Sequence, residues 1–331
     1  MLNFLKMKNY RFTLLAFLSL LIFPFLGWAQ PDLGSSSGFA LFTASGAFNA
    51  LGASTVVVGD VGTNVGAFSA FPPGTLVGQR HVADAAAASA ATAVGSAYSQ
   101  LAATNCGTGG VLTGTMGSGQ ILTPNVYCHG AATTLNGVLT LDGGGNPDAL
   151  FIIKINGALA TDVGSSISLI NGADVCNVYW RINGMVTLGG NSSFTGTIVA
   201  GGAISMLGGA SLNGRALTTA GAINIQNNTV NIPTPAPAVI TAGSTTALCA
   251  GEEVILSGNN GGEWSTGATS SSITVSVAGD YFVTTSSGCG DVTSNHILVT
   301  VSPAPIASTI TAGGAISICA GEGVTLSGNN G

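Results

Sequence analysis

The sequence predicts a chain that is mainly β: a β-solenoid with one long α-helix beside it, followed by β-sandwich repeat modules. Three observations carry this. From Met185 onward, stretches of 18 and 19 residues lie over one another with fixed apolar columns. One long stretch, His81 to Ala103, is alanine-rich and free of proline. Near the C-terminus a 22-residue block recurs at an offset of 70.

Composition sets the bounds. Of 331 residues, 46% are hydrophobic and only 6% charged, about a quarter of the usual charged share. Disorder requires the opposite balance, so the chain folds, with a surface of Ser, Thr, Asn and Gly. The 50 glycines imply many turns. Three of the seven cations (Lys6, Lys8, Arg11) open the chain, leaving Arg80, Lys154, Arg181 and Arg215 against thirteen acids. Four scattered cations cannot neutralise a phosphate backbone, which excludes nucleic acid as a partner.

Taken in order, the first element is a targeting segment. The basic start, the apolar stretch Phe12 to Trp28 and Gly27-Trp28-Ala29 form a signal peptide over 1–29, with cleavage after Ala29. The stretch contains Ser19 and Pro24 and is short for a membrane span. The expected location is secreted or at the cell surface, where disulfides are permitted.

Residues 30–233 form the solenoid domain, with a helix over about 81–103 whose loose apolar stripe is Val82, Ala86, Ala93, Ala97 and Leu101. In the repeats, Leu188, Met206 and Ile225 share one column, and Phe194, Leu212 and Val230 another. Successive copies with inward apolar columns and small corner residues mark a solenoid. LNGVLTLDG (135–143) and SSISLINGA (165–173) fit the same template.

A Pro-rich linker, 234–238, precedes a β-sandwich repeat at 239–303, and a second, truncated copy starts at 304–331. ITAGSTTALCAGEEVILSGNNG and ITAGGAISICAGEGVTLSGNNG match at fifteen of twenty-two positions, and the second copy stops in mid-repeat, as in a fragment of a longer protein. Strands are expected over Val254–Leu256, Ser272–Val277, Tyr281–Thr285 and Ile297–Val301. With WSTG (264–267), Gly279-Asp-Tyr281 and two cysteines, this unit resembles the Ig-like modules repeated in large secreted proteins of Bacteroidetes. A Cys249–Cys289 disulfide is expected within it.

NPDALFIIKI (146–155), DVCNVYWRING (174–184), SSFTGTIVA (192–200), SLNGRAL (211–217), GDVGTN (59–64) and FPPGT (71–75) resemble the bacterial family of secreted ice-binding proteins, long catalogued as a domain of unknown function. The match runs in order from about Phe39 to Ile232. The resemblance implies a discontinuous right-handed β-helix of triangular section, one α-helix along a face, and ice adsorbed on another.

Physical reasoning names the candidate residues. Coils stack about 4.7–4.9 Å apart, close to repeat distances of the ice lattice, so one small hydroxyl per coil can order water. The neighbours of an inward residue point outward, which gives Thr55, Thr134, Ser166, Ser193, Ser211 and Thr229 as a ladder. Asn136, Thr195, Asn213 and Asn231 form a secondary one. Many family members carry Thr-(Ala/Gly)-x-(Thr/Asn), and the six match its last position. The first reads Gly52, Ala131, Val163, Gly190, Gly208 and Gln226.

Other residues read as ordinary structure: Arg215, Met116, Met206, His81, His129 and the turn Asp142 to Asn146. No metal site or cofactor is expected. One disulfide is expected among Cys106, Cys128 and Cys176, with Cys106–Cys128 and Cys128–Cys176 both open. The expected function is non-enzymatic: adsorption to ice or ordered water, with no small-molecule substrate. Presentation from a cell surface through a missing C-terminal region, as an ice adhesin, is a variant. An enzyme needs paired carboxylates or a cation cluster, which four scattered cations and Asp142, Asp148, Asp162 and Asp174 do not supply. The alternative is an adhesin for a carbohydrate or another non-ice ligand, built on Tyr127, Tyr179 and Trp180.

Overall fold

The computed structural model describes residues 30–234, 237–287, 289–304 and 306–328. The expected leader through Ala29, and Pro235, Ala236 and Pro305 of the Pro-rich stretches, lie outside them. Contacts divide the chain into two compact units, Met1–Pro233 and Thr234–Gly331.

In the first unit the alternating apolar segments pair as parallel strands into stacked coils with three walls. The first wall contains Phe39–Ser45, Asp60–Val65, Val178–Ile182, Phe151–Ile155 and Asn125–His129. Ser193–Ala200 and Ser211–Thr218 each serve two walls: their first halves pair in the third, their second halves in the first. The bend falls at Gly196 (φ 108°) and Gly214 (φ 155°), where a Cβ on Gly214 meets Gly196 O at 2.0 Å. The second wall is one eight-stranded sheet, stacked as Phe68–Ser69, Phe48–Leu51, Ile223–Gln226, Ile204–Met206, Val186–Leu188, Leu159–Thr161, Thr133–Asn136 and Met116–Gly117.

That order is not chain order. Ile223–Gln226 pairs with Phe48–Leu51, and Thr229–Asn231 with Val56–Val58, so the last coil sits against the first. After Arg80–Val82 the chain crosses to the far end of the stack through the helix, and the later coils return toward the first. Inward residues of all three walls, among them Phe48, Leu135, Ile153, Trp180, Leu188, Phe194, Met206 and Ile225, are buried in one core.

The helix, α1, spans Ala85–Ala103, starting four residues later than the alanine pattern suggests. His81 and Val82 belong instead to a short strand, Arg80–Val82, paired with Asp60–Val65. Asp84 is the reason: its carboxylate accepts the Ala87 N–H at 2.8 Å and caps the first turn. Ala87, Ala90, Val94, Ala97 and Leu101 are buried against Phe42, Val126, Ile152, Tyr179, Val199 and Leu217 of the first wall. Full burial of a Val or Leu stabilises by about 1.5–3 kcal/mol, so Val94 and Leu101 anchor the helix more than its alanines do. At its C-terminus Lys154 Nζ donates to Ala102 O (2.9 Å) and Thr104 O, a cation set where the helix dipole favours one. Arg181 lies over the Tyr98 ring at 4.5 Å.

The second unit is built of small sheets, mostly antiparallel. Val254–Ser257 lies between Thr241–Ala242 and Ser272–Val275; Ile297–Ser302 lies between Ala247–Cys249 and Gly279–Tyr281; Val283–Ser287 lies between Glu263–Trp264 and Gly290–Thr293. The pairings leave Phe282 between two strands, so the single strand expected over Tyr281–Thr285 is divided. Trp264, Leu256, Val283 and Val299 are in its core. The internal repeat extends to three dimensions: Thr241 pairs with Ser257, and, seventy residues on, Thr311 pairs with Ser327.

Cys249 and Cys319 are exposed free thiols, which corrects the expected Cys249–Cys289 bridge. Cys249 ends a strand of one sheet, whereas Cys289 lies in the turn between two strands of another, and Cys289 is disulfide-bonded elsewhere. In the first unit, Cys106–Cys128 forms with Cα atoms 5.8 Å apart, tying the loop after α1 to the first-wall strand Asn125–His129.

Two outcomes are expected of stability measurements. Asp84→Ala lowers Tm at neutral pH. The Ala87 N–H bond and His81 hold the Asp84 carboxyl below its ordinary range, so its contribution is present above that range and is lost on acidification; the deficit should fade accordingly in a pH series. Removing the Cys106–Cys128 loop closure by a double Ser substitution should cost about 3 kcal/mol in denaturant unfolding.

Candidate functional site

The register places each predicted hydroxyl. Ser166 pairs with Ser193, Ser193 with Ser211, and Ser211 with Thr229, so four of the six form one column on the third wall. Thr229 then pairs with Val56, not Thr55. Thr55 is fully buried; its Oγ1 donates to Leu51 O (2.6 Å) and accepts the Asn227 N–H (2.9 Å). Three consecutive valines, 56–58, hid the phase: Val57 is the inward one. Thr134 belongs to the second wall, opposite Ala160. The third-wall position of its coil is Val138.

The secondary ladder divides in the same way. Asn213 and Asn231 pair on the third wall and are exposed. Thr195 shares their column but is only 7% exposed. Asn136 sits on the second wall, beside Gly117. The third wall is uneven: Val58, Val77, Ile121, Val138 and Ile170 protrude, and Ser166–Ile170 touches Ser193–Ala200 through one register pair only.

The second wall carries an array that the sequence reading missed. Ser69, Asn49, Asn224, Ser205, Thr187, Ala160 and Thr134 occupy one outward column across seven coils. Beside it runs a second column: Ala67, Ala47, Ala222, Ala203, Met185 and Ala158. Its register follows from bonds of the next residue in each strand, such as Phe48 N to Ala67 O (2.8 Å) and Ile204 N to Ala222 O (2.9 Å). Neither column contains a charge. The outer border holds Leu51, Gln226, Leu207, Asp162 and Asn136. The signal was available: Thr187, Ser205 and Asn224 each precede a residue of the Leu188–Met206–Ile225 column.

Turn chemistry holds the corner of this wall. Thr43, Thr63 and Thr218 are buried at its corner, donating to Gly221 O (2.8 Å), Gly46 O (2.8 Å) and Gly202 O (2.7 Å). A Cβ on Gly46 would lie 2.1 Å from Gly221 O, and on Gly66 2.0 Å from Gly46 O.

Arg215, Lys154 and Arg181 serve the core and the helix, while Arg80 is exposed over the Phe68 ring at 5.5 Å. Arg215 is buried, with Nε donating to Ser37 O at 2.8 Å; burial pushes its guanidinium down to about 10 and the Tyr179 hydroxyl up to about 12. His129 is buried, with Nε2 at 3.0 Å from Gly114 O. Cys176, the third candidate for the solenoid disulfide, is bonded, but to neither Cys106 nor Cys128. Among the described residues no group of three His, Cys, Asp or Glu could hold a metal ion, and no helix is long and apolar enough to cross a membrane.

Because Thr55 bonds inside the fold, Thr55→Val should lower stability by about 1–3 kcal/mol, read as a shifted unfolding midpoint, and should not act as a surface change.

Comparison with known proteins agrees with this architecture. Residues 42–231 match the model of a family described as ice-binding-like. An ice-binding protein of Nostoc sp. (strain HG1) is 35% identical over 201 residues, covering 60% of this chain and 73% of that protein. Ice-binding protein 1 of Shewanella frigidimarina is 40% identical over 111 residues, 33% of this chain but only 12% of that protein. Among solved structures, the ice-binding protein of Antarctomyces psychrotrophicus aligns with TM-score 0.59 and 34% identity, covering 62% of this chain and all of that one. One from an Antarctic Flavobacteriaceae bacterium aligns with TM-score 0.60 and 36% identity, covering 67% and 54%. A mainly β fold of stacked parallel strands with one helix, matched over more than half its length, makes this chain a member of the ice-binding-like family.

Proposed function

We propose that this protein binds ice without chemistry, through the second wall of its solenoid. The observation that carries the reading is the pair of uncharged columns in register over that wall, one of alanines interrupted by Met185 and one of Ser, Thr and Asn interrupted by Ala160. Coils about 4.7–4.9 Å apart repeat both columns at close to ice-lattice distances. Methyl groups leave water to bond to itself, and the polar tips hold that water in place. The wall is preformed, so little ordering entropy is lost on adsorption.

The family pattern Thr-(Ala/Gly)-x-(Thr/Asn) supports this wall. Its second and fourth positions fit Ala47 and Asn49, and Ala222 and Asn224; Ala203 fits the second, with Ser205 a hydroxyl in place of Thr or Asn at the fourth. The first position is then Gly46, Gly221 and Gly202, where close coil stacking leaves no room for a side chain on Gly46. The column Ser166, Ser193, Ser211 and Thr229 is the competing face, less flat because valines and isoleucines rise from it. An adhesin for carbohydrate lacks its platform: Tyr179 and Trp180 are fully buried and Tyr127 is 6% exposed.

For the rest of the chain, we read a leader over 1–29 cleaved after Ala29, export, and Ig-like spacers over 239–303 and 304–331 after the 234–238 linker. The antiparallel sheets around Trp264 support the sandwich reading. Such spacers suit presentation of the solenoid from a cell surface.

Thermal hysteresis and ice recrystallisation inhibition test the face. Ser205→Tyr and Asn224→Tyr should remove most activity while leaving the circular dichroism unchanged. Ser193→Tyr and Ser211→Tyr should leave it nearly intact. The reverse pattern moves the site to the third wall.

A further inference from the structure

We propose that Met185 limits the area of the second wall that can meet ice at one time, so that this residue sets the strength of adsorption. The inference rests on the ice-binding reading above and concerns the same face. Met185 occupies a position that belongs to alanine: it lies between Ala203 and Ala158, as the bonds Val186 N to Ala203 O (2.8 Å) and Leu159 N to Met185 O (3.0 Å) fix. It is 56% exposed, so its side chain stands in solvent rather than folding into the core.

A methionine side chain reaches several ångströms beyond an alanine methyl, whereas the coils on either side are about 4.8 Å away. Its three rotatable bonds leave that extension without a fixed position. A flat lattice plane laid on Ala203 and Ala158 therefore meets the thioether first. The polar column fails at the next coil, where Ala160 stands between Thr187 and Thr134. These two adjacent defects divide the wall. On one side remains a four-coil patch of Ser69, Asn49, Asn224 and Ser205 with their alanines; on the other, Thr134 has few neighbours.

The test uses the full chain and measures thermal hysteresis at equal molar concentration for Met185→Ala, the wild type and Met185→Phe, with Ser205→Tyr as the probe of the face itself. Removing the protruding side chain should raise hysteresis at least about twofold for Met185→Ala even with Ala160 in place, since a larger preformed surface adsorbs without new ordering cost. Met185→Phe should fall below the wild type. Met185 is on the surface, and equal melting temperatures across the series establish that fold is not the variable. If Ser205→Tyr abolishes activity but Met185→Ala is unchanged or weaker, the second wall binds ice and the role of Met185 is overturned. If Ser205→Tyr leaves activity intact, the choice of wall fails and the Met185 proposal fails with it.

Discussion

Parallel coils can stack at strand spacing only if nothing stands between the backbones of successive turns, and in this solenoid the corners meet that condition with glycine. Gly46, Gly66 and Gly214 each sit so close to the backbone of the next coil that a Cβ would overlap a carbonyl oxygen at 2.0–2.1 Å. Buried threonines complete the same corners: Thr43, Thr63 and Thr218 carry their hydroxyls to the carbonyls of Gly221, Gly46 and Gly202. Close stacking in turn fixes the register of every wall, and register is what converts scattered small residues into columns.

The same constraint explains the distribution of charge. Within each coil one side of every strand faces a narrow apolar core, and the first wall's outer side is covered by α1. Three of the four described cations sit there or at its margins: Arg215 buried toward Ser37, Lys154 on the helix C-terminus, Arg181 over Tyr98; Arg80 lies over the Phe68 ring at the end of the second wall. Asp84 takes the opposite end of the helix, as the dipole favours. The two columns of the second wall are left without a charge, so water there meets methyl groups, hydroxyls, amides and the Met185 thioether.

Much of the fold was legible in the sequence because period and composition are local signals. The columns Leu188–Met206–Ile225 and Phe194–Leu212–Val230 are both inward, and the alanine-rich stretch is a helix. The site was only partly legible. Ser166, Ser193, Ser211 and Thr229 do share a column, but a period of two read across Val56-Val57-Val58 gives no phase, and Thr55 was placed outward by default. At residues 133–142 two walls follow one another across a single glycine, so Thr134 stands on the second wall, apart from the column of Ser166, Ser193, Ser211 and Thr229. The flat array itself draws on strands from residue 48 to residue 226 whose stacking order differs from chain order; pairings such as Asn49 with Asn224 are invisible without the fold.

Ordered water over the second wall is what adsorption to ice requires of this chain, and a high-resolution crystal structure tests it most directly. The expected result is a row of well-ordered waters lying between the alanine column and the Ser/Thr/Asn column, one per coil at the strand spacing of about 4.8 Å, broken beside Met185. Waters scattered without register on this wall, with a continuous row over Ser166, Ser193, Ser211 and Thr229 instead, would contradict it.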